Sequence, residues 1–133
     1  MYTPYEVIVK SILPAVRSIL VRELSDRYGY KQTDIAKALY ITQASVSYYK
    51  SHSRGKYIDE LYRYPDVLKM IRSLADKIVN TNPSKEELMK DLNDIILYII
   101  SKEYICDIHK VLEPDVDVDE CRVCEAIISK RFN

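Results

Sequence analysis

Apolar residues in this 133-residue chain recur every three or four positions, and no stretch alternates polar with apolar residues for long enough to make a strand. Side chains three and four apart share a helix face, whereas a half-buried strand needs a period of two, so the pattern confines the chain to an all-α fold. Local punctuation agrees. Thr3 and Glu6 form a T-x-x-E capping box, Pro4 takes the first helical position, and Gly29 stands where a helix from about 4 to 28 would stop. The apolar stripe of that helix is Tyr5, Val9, Ile12, Val16, Ile19, Leu20 and Leu24. Pro14 should bend it, because proline has no N–H for the carbonyl of Lys10.

A second helix begins at Pro65 and Asp66 and runs to about Asn80, with Val67, Met70, Ile71, Leu74 and Ile78 on its apolar face. The segment TNPS then breaks the chain, and a boundary there divides it into residues 1–80 and a helical module of residues 81–133. Ser84 and Glu87 form another capping box, opening a long helix whose face of Leu88, Leu92, Ile95, Ile96, Ile99 and Ile100 is wide for one small domain to cover. It can pack on the 65–80 helix, pair with a second copy, or do both. An acidic loop at 113–120 leads to a short terminal helix, CRVCEAIISKRF.

Formal charge cancels over the whole chain, but residues 1–63 carry 10 Lys and Arg against 6 Asp and Glu, and residues 64–133 carry 10 against 14. The split suits a front half that meets a polyanion and a back half that does not. The N-terminal MYTPYEVIVK lacks the pattern of a signal peptide, and IILYII at 95–100 is too short to cross a bilayer. The expectation is a cytoplasmic protein with no membrane partner, in which cysteines stay reduced. Twelve Tyr, two Gly and no Trp add a compositional hint of a heat-adapted, archaeal source.

The segment QTDIAKALYITQASVSYYKS, Gln32 to Ser51, reads as two helices joined by a tight turn. On the first, Ile35, Ala36 and Leu39 share a face, and Ala36 is small enough for a second helix to cross closely. On the second, Thr42 is the N-cap and Val46 and Tyr49 point to the core, which leaves Gln43, Ala44, Ser47 and Tyr48 outward. Short polar side chains at the N-terminal end of a helix fit a major groove, since Gln pairs with an adenine edge and Ala touches a thymine methyl. The following KSHSRGKY sets Lys50, His52, Arg54 and Lys56 on a loop turned by Gly55, where phosphates would be contacted.

Over roughly residues 28–56 the segment resembles the helix-turn-helix of the phage-repressor-like (XRE, or Cro/CI) family, in a form similar to predicted archaeal transcriptional regulators. The resemblance implies a phosphate contact at Gln32, base reading by Gln43, Ala44, Ser47 and Tyr48, and packing roles for Ala36, Ile41 and Val46. It further implies a homodimer on double-stranded DNA whose half-sites lie about one helical turn apart. One departure stands out. The turn position usually held by Gly is Tyr40, which must then take a left-handed conformation.

All three cysteines and one histidine fall in CDIHKVLEPDVDVDECRVC, with the spacing C-x2-H-x11-C-x2-C. If the long helix continues through Leu112, Cys106 and His109 lie one turn apart on the same face. Cys121 and Cys124 then sit near the start of the last helix, where free N–H groups favour thiolates. Two pre-arranged pairs across a reversing loop make a four-ligand site, which zinc or an iron-sulfur cluster would fit. The absence of C-P-x-C-G turns weighs somewhat against zinc, and a Cys121/Cys124 dithiol or unrelated core cysteines are the other readings. The sequence thus points to a DNA-binding transcriptional regulator rather than an enzyme. Its rivals are a thiol-disulfide redox protein built on CRVC, which lacks the surrounding βαβ pattern, and a metal-stapled protein-interaction adaptor without DNA binding.

Overall fold

The structure is a computed structural model that describes residues 1–52 and 56–115, Lys56 by its backbone only. Among these residues every regular element is helical, as the period of the apolar residues requires. The order is α1 (Pro4–Val7), a π-helical segment (Ile8–Ile12), α2 (Leu13–Asp26), α3 (Gln32–Leu39), α4 (Gln43–Ser51), α5 (Lys56–Leu61), α6 (Pro65–Thr81), α7 (Lys85–Ser101) and α8 (Tyr104–Leu112).

The first helix is the one that departs most from its sequence pattern. The Thr3 capping box forms in both directions, but the helix widens to π geometry at Ile8–Ile12, just before Pro14. Proline leaves the carbonyl one turn back without its donor, and a wider turn re-pairs the neighbouring groups, the Leu13 N–H reaching Ile8 O. The extra residue rotates the first turn relative to α2. Val7, Ser11 and Ile12 consequently face the core, whereas Tyr5 and Val9, expected in the stripe, are 65% and 64% exposed.

Beyond the π segment α2 is buried almost all round, through Ala15, Val16, Ile19, Leu20, Val21 and Leu24. It is the central post of the fold, with α3, α4, α5 and α6 packed around it. Gly29 ends this helical stretch at φ +66°, the left-handed turn for which glycine pays no Cβ penalty. After α6, a three-residue link turns the chain into α7, and Lys77 Nζ meets Asp91 Oδ2 at 2.7 Å across the pair. Ser84 caps α7 by accepting from the Glu87 N–H at 3.2 Å.

The expected continuation of this helix through Leu112 does not occur. Lys102 and Glu103 form a turn, with Glu103 left-handed at φ 62°, and α8 runs back against α1, the π segment and α5. Without Gly or Pro there, and with Ile99, Ile100, Ile105 and Ile108 all buried, the apolar pattern runs on through the break. The buried residues of α7 and α8 join those of α1 to α6 in one hydrophobic cluster.

Candidate nucleic-acid interface

α3 is set by its Ile35 and Leu39, both buried, and by the Asp34 carboxylate, which accepts from the Lys31 N–H at 3.3 Å. It ends with Tyr40 in the left-handed region, φ 57° and ψ 39°, as the missing glycine required. The Ile41 N–H donates to Ala36 O at 3.1 Å and the Tyr40 N–H to Lys37 O at 3.4 Å, the paired bonds of a Schellman closure. What holds a tyrosine there lies elsewhere in the fold. Its hydroxyl donates to Pro83 O at 2.9 Å, tying the turn to the link between α6 and α7.

Thr42 then caps α4, its Oγ1 accepting from the Ser45 N–H at 3.0 Å. Val46 is wholly buried, and Tyr49 packs against the core from a half-buried position. With that face anchored, Gln43, Ala44, Ser47 and Tyr48 are all exposed on the opposite side. Gln32, the first residue of α3, is half-buried. The expected basic loop is shorter than its sequence suggests. Lys50 belongs to the last turn of α4, and Lys56 opens α5, a short helix that the basic residues concealed. Arg54 lies outside the described residues.

Electrostatically the exposed α4 surface is neutral to basic, since α4 contains no carboxylate and ends in Lys50. Lys37 on α3 and Lys50 on α4 are exposed and form no ion pair with a described residue. His52, placed by the sequence on the loop, makes a contact that this placement alone did not suggest. His52 stacks on Tyr48 with ring centroids 4.2 Å apart and planes at 23°, while its Nδ1 lies 2.9 Å from Tyr48 O. Tyr49 meets Tyr48 edge-on, with ring centroids 5.6 Å apart. The four-residue step from Tyr48 to His52 is one helical turn, so their adjacency was open to inference once α4 was carried to its end.

The second candidate cluster is only half described, because Cys121 and Cys124 lie outside the described residues. Cys106 is half-buried on α8, and His109, one turn on, is buried. His109 Nε2 sits 2.9 Å from Glu113 Oε1. Glu113 also accepts the Tyr2 N–H at 2.6 Å and faces the Met1 ammonium at 3.3 Å, so this carboxylate joins the end of α8 to the N-terminus. The hydrogen bond from His109 is the main influence holding the Glu113 carboxyl below its ordinary range. Among the described residues no three His, Cys, Asp or Glu side chains gather in a metal-binding group. None of the described helices is long and apolar enough to cross a membrane.

Comparison with protein-family models, with curated proteins and with solved structures finds no significant match.

Proposed function

We propose that this chain is a sequence-specific DNA-binding regulator of transcription that acts as a homodimer, with α3 and α4 as its helix-turn-helix. The observation that carries the reading is the division of α4. Val46 is fully buried while Gln43, Ala44, Ser47 and Tyr48 stand exposed near its N-terminal end, on a helix without a carboxylate. Gln43 would reach an adenine edge, Ala44 a thymine methyl, and Lys37 and Lys50 the phosphates on either side.

Cys106 and His109 would supply half of a zinc or iron-sulfur site, with Cys121 and Cys124 the other half. The His109 environment suits a ligand, because a carboxylate such as Glu113 at one ring nitrogen orients the imidazole and leaves the other nitrogen available. When bound, the group would hold the end of α8 to the following segment or sense redox state. Metal analysis of anaerobically purified protein separates these, since an iron-sulfur cluster absorbs near 400 nm and zinc does not.

The test of DNA binding is selection of a preferred duplex from a random pool, followed by fluorescence anisotropy. Gln43→Ala should lower affinity for the selected duplex by roughly 1–3 kcal/mol and relax preference at one position. Lys50→Ala should weaken selected and random duplexes alike and flatten the salt dependence. No selection above background, or equal losses on both duplexes for Gln43→Ala, would count against the reading.

A further inference from the structure

Between the first helical segment, the end of α4 and α5 lies a cavity of about 200 Å³. Its walls are chemically uneven. Tyr48, His52 and Tyr57 contribute rings on one side, and Pro14, Ala15 and Ile58 contribute apolar surface. Ser11 and Ser18 also line it, although both are otherwise buried, at 1% and 3% exposure. The Ser11 hydroxyl donates to Val7 O and keeps its lone pairs as acceptors, while Ser18 adds a second hydroxyl to the seam. At the rim stands Lys10, whose ammonium lies 5.3 Å from the centre of the Tyr2 ring and makes no ion pair with a described residue. Among the described residues no Asp or Glu lines the cavity.

These features define a ligand class. The volume is below the roughly 300–1,000 Å³ of pockets for drug-sized ligands, so the occupant is about one ring in size. Aromatic walls favour a flat apolar body. A cation at the mouth that pairs with no described carboxylate, with a hydroxyl group beside it, favours one anionic head group. We propose that this cavity binds a small planar carboxylate, its ring beside Tyr57 and its carboxylate at Lys10. The π-helical segment matters here because it turns Lys10 and Ser11 toward this cavity, where the stripe expected of a regular helix would have put Val9 inward. The site shares Tyr48 and His52 with the proposed DNA-reading surface, but its test measures ligand binding alone and does not depend on that reading.

The experiment is calorimetric titration of the full chain with benzoate and with its neutral analogue benzamide, joined to amide chemical-shift mapping. Saturable benzoate binding is expected, with shifts centred on Ser11, Ala15, Ser18 and Tyr57, and with benzamide bound roughly tenfold more weakly for want of the charge-assisted contact. Lys10→Met, at an exposed position, should remove that difference by weakening benzoate roughly tenfold while leaving benzamide unchanged, and Lys10→Arg should restore it. Absence of saturable binding overturns the proposal. So does benzoate affinity that Lys10→Met leaves intact, or a shift pattern centred away from the cavity.

Discussion

Tyr40 carries two opposed contributions at one position. A left-handed conformation costs a residue with a Cβ roughly 1–2 kcal/mol, and the hydrogen bond from its hydroxyl to Pro83 O returns about 1 kcal/mol. The two substitutions that separate them should behave differently. Tyr40→Phe keeps the strain and loses the bond, so denaturant unfolding should show a loss of about 1 kcal/mol. Tyr40→Gly removes both and should be close to neutral. A large loss in the glycine variant would mean that the half-exposed ring, rather than its hydroxyl, holds the turn. The left-handed state itself was legible in the sequence, from a tyrosine standing where the resembled family keeps glycine. Its partner was not, because Pro83 is 43 residues away and only packing of the α6–α7 link beside the turn brings the two together.

Among the elements, α7 shows how far a helical stripe can be trusted. Leu88, Ile95, Ile99 and Ile100 of its wide face are buried as the sequence suggests. Leu92 and Ile96 remain half-buried, and Met89 beside them is 60% exposed, an apolar flank at helical spacing. That flank is the natural seam for the proposed homodimer. Met89→Lys should therefore shift the protein toward monomer in sedimentation velocity, raising the dimer dissociation constant by roughly tenfold or more, while the unfolding midpoint of the monomer stays nearly unchanged. A wild-type protein that is monomeric at high concentration would remove this seam from the account. The first helix gives the opposite lesson. Its stripe at Tyr5 and Val9 is regular in sequence, and the π-helical turn before Pro14 rotates it to the surface. Periodicity assumes an unbroken 3.6-residue repeat, and it fails where one residue is inserted into the turn.

At the scale of the whole molecule, one hydrogen-bonded cluster ties the back half together and should shape its response to pH. The hydroxyls of Tyr98 on α7 and Tyr104 on α8 both donate to Asp66 Oδ2 in the first turn of α6, at 2.5 and 2.8 Å. The Tyr98 bond is the main cause holding the Asp66 carboxyl below its ordinary 3.8, and the same bond pushes the Tyr98 phenol up to about 12. Folding thus favours ionised Asp66 and protonated Tyr98. The Asp66 contribution is complete above the carboxyl's ordinary value and is lost as pH falls through the lower folded one. The Tyr98 contribution is complete below 10.0 and is lost as pH rises toward about 12. Urea midpoints measured across this range should form a plateau with two falling edges, and Asp66→Asn should flatten both, because it removes the acid and the cause of the raised phenol together. An unchanged acid edge in that variant would show that other carboxylates dominate.

What the sequence determined by itself was local. An all-helical fold follows from the three-and-four spacing of apolar residues. The start of α4 at Thr42, the left-handed turn at Tyr40 and the burial of Val46 opposite Gln43, Ala44, Ser47 and Tyr48 all depend on residues within one helical turn of each other. Tertiary structure decided what depends on distant neighbours. It broke α7 from α8 at Glu103, brought Glu113 to the Met1 ammonium and the Tyr2 N–H, and set Lys10 and Tyr57 around one cavity. The physical reason is range: capping and helical periodicity act over three or four residues, whereas a cavity or a bend that completes a core is fixed by which surfaces meet, and one strand of letters does not contain that.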